Sequence, residues 1–528
     1  MKHLVWLVVG GIALGAQPSQ AQLEPIGVPR GVVRFTLSGD WTSYNSRFLN
    51  GNEQDYLADF SRPALGSSFW PDLITADTAI GAIIGNSAYQ INLGKQVANG
   101  GVTVTTAGLG FAVGLTRVLT LFTNIPIVTT RVQARFQLDS TTANAGFNPA
   151  HPTLGTGPGQ SAAQQFFTDF DQALNTLRTN ISNGAYGPPG SSLRNHASAV
   201  EQQAAALRSR LGAVSNDPVT ASPFLPVDTS TAGVAVLESI SDLQDTLSNP
   251  TGLNVQGFTS IVPLPTGRLS ADDINAFVSN PFGPVQGFPL QEAQLSQIGD
   301  VEIGAVYTLI DDWDGKKGLG GVRVVAEGSV VLPTGKAEDP LNFLDVGTGN
   351  KRYEVHGGLT ADLGYGRIGA RLIGNYQRRF SSDRALRVTP PDQPIPFANR
   401  SSRVTLDPGD LYSLSAQPFF RLAPQLAITA GVSYWHEAEG SASYLQSSDV
   451  ISGVSAGLLA QESARSATSF TAGLTYVGRA AHECENGKCG LPIDATLTYE
   501  RVLSATGGRV PGSETVRGAI RFYRRFWQ

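Results

Sequence analysis

The two cysteines of this chain lie close together, in His482-Glu483-Cys484-Glu485-Asn486-Gly487-Lys488-Cys489. A zinc site needs further ligands at recognised spacings, and His482 and Glu483 do not complete one. Asn-Gly between two cysteines is instead a hairpin turn, which an exported chain would close with a Cys484–Cys489 disulfide. So small a loop removes little chain entropy, so the bond staples the turn locally. Carboxylates gather around Glu338, Asp339 and Asp345, just before Gly347-Thr348-Gly349. Calcium would need the spacing of a known loop, which is absent, so a solvated loop is expected there. No Gly-x-Ser-x-Gly elbow, glycine-rich phosphate loop or His-Glu-x-x-His helix occurs, and the six histidines are scattered. The expectation is a protein that is not an enzyme and has no catalytic residues, metal or cofactor. A catalytic reading would require a Ser, a His and an acid to converge.

The remaining charges follow a different rule, a period of two. Val355, Gly357, Leu359, Ala361 and Leu363 alternate with Glu354, His356, Gly358, Thr360 and Asp362. Ile368, Ala370, Leu372, Gly374 and Tyr376 alternate in the same way with Arg367, Arg371, Asn375 and Gln377. Alternation places the two sets on opposite faces of a strand. An apolar face opposite a charged one is the pattern of a barrel with lipid outside and water inside. The fold class read from the sequence is therefore all-β with a helical insertion, a transmembrane antiparallel β-barrel of about twelve strands. Parity assigns Arg34, Asp40, Glu302, Arg323, Glu327, Glu354, His356, Asp362, Arg367, Arg371, Asp494, Glu500, Arg517 and Arg521 to the lumen. They would form either a network of ion pairs or a charged ring that selects solutes.

The ends fit an exported chain. Lys2 and His3 precede an apolar run, Leu4 to Ala16, and Ser19-Gln20-Ala21 offers a signal-peptidase site. The organisation expected is a signal peptide over 1–21, a barrel over 22–528 and a helical extracellular insertion over 138–298. No stretch reaches about 18 consecutive apolar residues. The slight negative charge gives no reason to expect nucleic-acid binding.

Strands are expected near 31–44, 102–116, 119–137, 299–311, 321–333, 352–364, 366–379, 409–421, 424–436, 466–478, 491–503 and 513–527. The connections between them alternate long and short, as do extracellular loops and periplasmic turns. Tyr307, Tyr376, Tyr434, Tyr476 and Tyr499 lie toward strand ends, as an aromatic girdle would. The last strand ends Phe526-Trp527-Gln528, near the terminal aromatic read by the barrel-assembly machinery.

Residues 138–298 are too long for a structureless loop. Phe166, Phe167, Phe170, Leu174, Leu177 and Ile181 share one helical face. Leu193, Ala197, Val200, Ala204, Leu207 and Leu211 mark a second helix, and Val236, Leu237, Ile240, Leu243 and Leu247 a third. Ser270 caps a fourth short helix. These faces need a covering surface: each other, the barrel mouth or a protein partner. The apolar run Ala79 to Ile84 could likewise cover the pore mouth.

Gly299-Asp300-Val301-Glu302-Ile303-Gly304, Leu332-Pro333-Thr334-Gly335, Asp339-Pro340 and Asp345-Val346-Gly347-Thr348-Gly349 resemble the bacterial outer-membrane family named for the meta-pathway of phenol degradation. Val33 to Trp41 and Gly114 to Thr120 also look like that group. The family is similar to barrels that import long-chain fatty acids and aromatic hydrocarbons. The resemblance implies a channel or transporter for small hydrophobic or aromatic molecules in the bacterial outer membrane, with lipid and a small-molecule solute as partners. The alternative is a plugged barrel whose insertion binds partners at the cell surface.

Overall fold

The computed structural model describes residues 26–279, 293–313, 320–342, 344–389, 400–423, 425–478, 484–485, 488–489 and 493–527. The expected signal peptide and the side chains of Cys484 and Cys489 lie outside the described residues. The backbones of the two cysteines are direct antiparallel partners.

Twelve strands close into one antiparallel barrel. They are β1 Val32–Tyr44, β2 Lys95–Gly114, β3 Leu119–Asp139, β4 Val301–Asp311, β5 Gly320–Leu332 and β6 Glu354–Tyr365, followed by β7 Ile368–Arg379, β8 Leu411–Ala423, β9 Leu426–Glu437, β10 Arg465–Val477, β11 Ile493–Gly507 and β12 Glu514–Arg525. Each pairs with its successor, and β12 returns to β1 from Val32↔Arg525 to Ser43↔Glu514. At this seam Gly31 takes φ +75°, and a Cβ there would run into the Trp527 carbonyl. Only glycine meets both conditions. Short turns such as 115–118 and 366–367 lie at one end, and most long connections lie at the other. Residues 508–513, short at the long end, and the connection 478–492, long at the turn end, are exceptions.

The barrel reverses the usual burial rule. Leu359, Leu414 and Leu497 are more than half exposed on the outer surface, while Asp362 and Arg371 are almost wholly buried inside. In water such an exterior would aggregate; against lipid it is the stable arrangement. Tyr307 and Tyr476 stand at the turn end of the apolar belt, and Trp41, Tyr376, Tyr412 and Tyr434 toward the loop end.

β2 and β3 outrun the other strands, and along them the two faces exchange character. Near the turns, Leu109, Phe111, Leu121 and Ile127 are exposed outside. Farther up, the outer positions are Asn99, Arg131, Gln133, Arg135 and Gln137, all exposed. There the inner face carries Ala98, Val102, Val104, Val128 and Val132, all buried. The exchange falls at the row joining Trp41, Thr105 and Thr129.

The apolar inner face above that row is covered by a cap. It comprises α1 Ile74–Ile83 from the first connection, and α2 Gly157–Ser182, α3 Ser192–Ser215, α4 Thr231–Ser248 and α5 Ala271–Ser279 from the third. Hydroxyl caps start four of them, α5 through Ser270 Oγ, which accepts from the Asp273 amide at 3.1 Å. Thr156 Oγ1 accepts from the Gly159 amide, Ser191 Oγ from Arg194 and Ser230 Oγ from Gly233. One continuous apolar core joins Phe60, Phe69 and Trp70 with Phe166, Phe170, Phe224 and Phe277 and with Val102, Val128 and Val132 of the barrel wall. Trp70 stacks on Phe224 at 5.9 Å between ring centroids, and Phe170 lies 5.0 Å from Phe258. Leu193 departs from the expected helical face and remains 38% exposed.

Candidate functional site

Two cavities, of about 230 and 150 Å³, occupy the barrel interior. Both are bordered by Ile26, Ser38, Asp40, Asn124, Glu302, Glu327 and Arg517, so they meet at a shared waist. The larger continues toward the loop end, past Val104, Val128, Glu354, His356 and Asn375, to Ser513. The smaller continues toward the turns, past Arg34, Thr36, Thr496 and Arg521. Inward positions of β1, β3, β4, β5 and β12 supply the side chains of the waist. Ile26 comes from the segment before β1, held where Arg34 Nη1 donates to its carbonyl at 3.1 Å. Val28 anchors the same segment by donating to Thr120 Oγ1 at 2.8 Å.

Ion pairs close much of the lumen beside this path. Toward the turns, Asp362 accepts both Arg371 Nε and Nη2, at 2.5 and 2.7 Å, and lies 3.5 Å from Arg323 Nη1. The guanidinium groups of Arg323 and Arg421 pack over the Trp313 ring at 5.2 and 5.1 Å. Toward the loops, Glu437 takes Arg379 at 2.6 Å and Arg465 at 2.7 Å. That chain continues outside the barrel, where Arg509 donates to Asp59 and Glu462. Burial pulls the Arg509 guanidinium below its ordinary range, and Asp59 beside it opposes the shift. Glu500 accepts from Arg517 at 2.6 Å.

Ser329, His356 and two acids do converge, but not as a nucleophilic triad. Ser329 Oγ donates to Glu302 at 2.6 Å. The imidazole nitrogens of His356 face Glu302 at 3.6 Å and Glu354 at 3.4 Å. Both nitrogens are turned to carboxylates and neither to the hydroxyl, so the imidazole is not placed to take the serine's proton.

The loop 346–350 corrects the expectation of a solvated segment. Val346 and Thr348 are buried, and residues 346–350 border the larger cavity. Asp300 holds this loop by accepting from the Gly335 amide at 2.8 Å and the Asn350 amide at 2.7 Å. Gly349 lies so close to the Asp300 carboxylate and to Gly335 that a Cβ would clash with both. The Gly-Asp, Pro-Thr-Gly and Gly-Thr-Gly pieces are thus one fold-back. The nearby carboxylates are used locally: Asp345 accepts from Gly347 and Asp339 amides, and Glu338 pairs with Arg384 at 3.3 Å. The alternation pattern did not single out Asn124, Ser38, Ile26 or this loop as lining the cavities. None of these carries a charge, and two come from outside the strands.

No family model and no curated protein matches this chain. Among solved structures, it is similar to the COG4313 outer membrane channel from Pseudomonas putida F1, with 10% identity over 95% of this chain and 100% of that one, and a TM-score of 0.41. A FadL homologue from Pseudomonas aeruginosa matches with 8% identity over 94% and 89% of the two chains, at TM-score 0.28. The TodX monoaromatic hydrocarbon channel, as a deltaS2 mutant, matches with 10% identity over 95% and 91%, also at 0.28. The likeness is one of barrel shape. The meta-pathway family resembled by residues 299–380 has no matching family model here, and the barrel fold it implied is the one observed.

Proposed function

We propose that this chain is an outer-membrane channel for small molecules of apolar or aromatic character, with its long connections outside the cell and its short turns in the periplasm. The observation that carries the reading is the pair of interior cavities meeting at one waist inside a closed, lipid-facing barrel. The larger cavity offers Val104, Val128, Val331, Val346 and Ile373 to an apolar ring, and Asn124, Asn375 and Arg517 to a polar substituent. Such a lining suits a small amphipathic aromatic better than a bulk ion stream. The barrel would be inserted by the assembly machinery of the outer membrane. The test is reconstitution into liposomes with a panel of aromatic and fatty-acid solutes. Entry of small aromatics supports the reading; a folded barrel that admits none contradicts it.

One observation favours a second reading, a plugged barrel whose insertion binds a partner. Buried Arg–carboxylate clusters fill the lumen beside the waist toward both ends, and the cap forms a single core with the barrel wall. Capture of a cell-surface protein by the insertion, with no solute entry, would place it ahead.

A further inference from the structure

Five carboxylates border the larger cavity: Asp40, Asp300, Glu302, Glu327 and Glu354. Three are engaged, Asp300 by the amides of Gly335 and Asn350, Glu354 by Arg352 at 2.8 Å, and Glu302 by Ser329 Oγ at 2.6 Å. Among the described residues, no hydrogen bond or ion pair holds the side chain of Asp40 or Glu327. Arg517 acts on Asp40 and Arg34 on Glu327 from beyond ion-pair distance. The guanidinium groups on the same lining already have acids behind it, Arg371 in Asp362 and Arg517 in Glu500. Even a protonated His356, lying between Glu302 and Glu354, leaves negative charge in excess. Beyond the waist, Arg34 and Arg521 join the lining of the smaller cavity and restore the balance. Apolar groups stand beside the acids of the larger one. Asp40, Thr106 and Val128 occupy one row across β1, β2 and β3, with Val104 one inward step above. Val331 is the strand partner of both Glu302 and Glu354.

We propose that the larger cavity takes its solute as a cation, a small aromatic bearing a protonated amine, in preference to aromatic carboxylates. The inference names the solute class of the channel proposed above and rests on that reading. The ring lies against Val104, Val128 and Val331, and the ammonium donates to Asp40, Glu302 and Glu327. Carboxylates crowded in a lumen of low dielectric repel one another. An ammonium among them removes that repulsion, whereas a carboxylate guest adds to it. A confined field of one sign also raises the local concentration of counter-ions.

The test measures the permeabilities of benzylammonium and benzoate from reversal potentials of the full chain in planar bilayers at about pH 8, after its folding is verified. Benzylammonium should pass more readily than benzoate by a factor of about ten or more. D40N/E327Q should bring that ratio toward one, and E327Q alone should lower it by a smaller factor. D40E/E327D keeps the charge and should retain most of the ratio. E238Q/D242N, on the exposed face of α4, should retain all of it. Benzoate passing as readily as benzylammonium, or a wild-type ratio in folded D40N/E327Q, overturns the charge assignment and leaves the channel reading untouched. An equal loss in E238Q/D242N overturns it as well, by moving the selectivity to the cap. A folded barrel that passes neither ion contradicts the channel reading itself.

Discussion

The cap and the barrel obey opposite burial rules within one chain. In the cap, Phe166, Phe170 and Trp70 are sealed inside and polar residues face out. In the barrel, Leu359 and Leu414 face out and Arg371 and Asp362 are sealed inside. The difference lies in the solvent, since each region turns its apolar side from water. β2 and β3 pass through both regimes and exchange faces where one gives way to the other. The row of Trp41, Thr105 and Thr129 therefore marks the membrane surface more sharply than strand length does.

Phe166→Ala offers the largest test of that division. Emptying a fully buried aromatic site costs about 3–5 kcal/mol, and the loss should fall on the cap. Limited proteolysis should cut 140–279 in the variant while the barrel keeps its heat-resistant migration. A barrel that fails to assemble would show that the two regions are one cooperative unit. The converse change is Leu359→Arg at the lipid-facing surface, where a mid-belt arginine costs about 2–4 kcal/mol. It should reduce the folded fraction in vesicles far more than Thr360→Arg, whose side chain borders the interior cavity. Equal tolerance would contradict the register.

A smaller effect should separate the regions by pH. Burial lowers the pKa of His151, in the cap, from its ordinary value of 6.5. Its Nδ1 accepts from the Thr153 and Leu154 amides, each at 3.2 Å, which requires the neutral ring. The folded form thus binds its proton less readily than the unfolded chain. Its stabilising contribution is complete above pH 6.5 and is lost as pH falls through the lowered value. Thermal unfolding followed at the cap should show a lower midpoint at pH 5 than at pH 8, and His151→Gln should reduce that difference. An undiminished difference in the variant would assign it to other groups.

The barrel was largely legible in the sequence because lipid on one side and water on the other impose a strict period of two. All twelve strands lie within a few residues of their expected places, except the start of β2. Residues 95–101 escaped notice because their faces follow the cap's rule, with Ala98 and Val102 inward and Asn99 outward. The faces of α2, α3 and α4 were legible from helical period, but not the surface they cover, which α1 and the tops of β2 and β3 supply. The waist was least legible. Asp300 works through backbone amides of Gly335 and Asn350 that sequence spacing does not disclose, and Ile26 enters from outside the strands.

The central claim is that the interior path conducts and that the cap restricts its mouth. Single-channel recording in planar bilayers, comparing the whole chain with a variant lacking roughly residues 158–250, tests this most directly. The deletion removes α2, α3 and α4 and leaves all twelve strands. With the barrel of the variant shown to be folded, the account predicts a higher conductance than that of the whole chain. Unchanged conductance in the folded variant would contradict it and put the partner-binding reading of the insertion first.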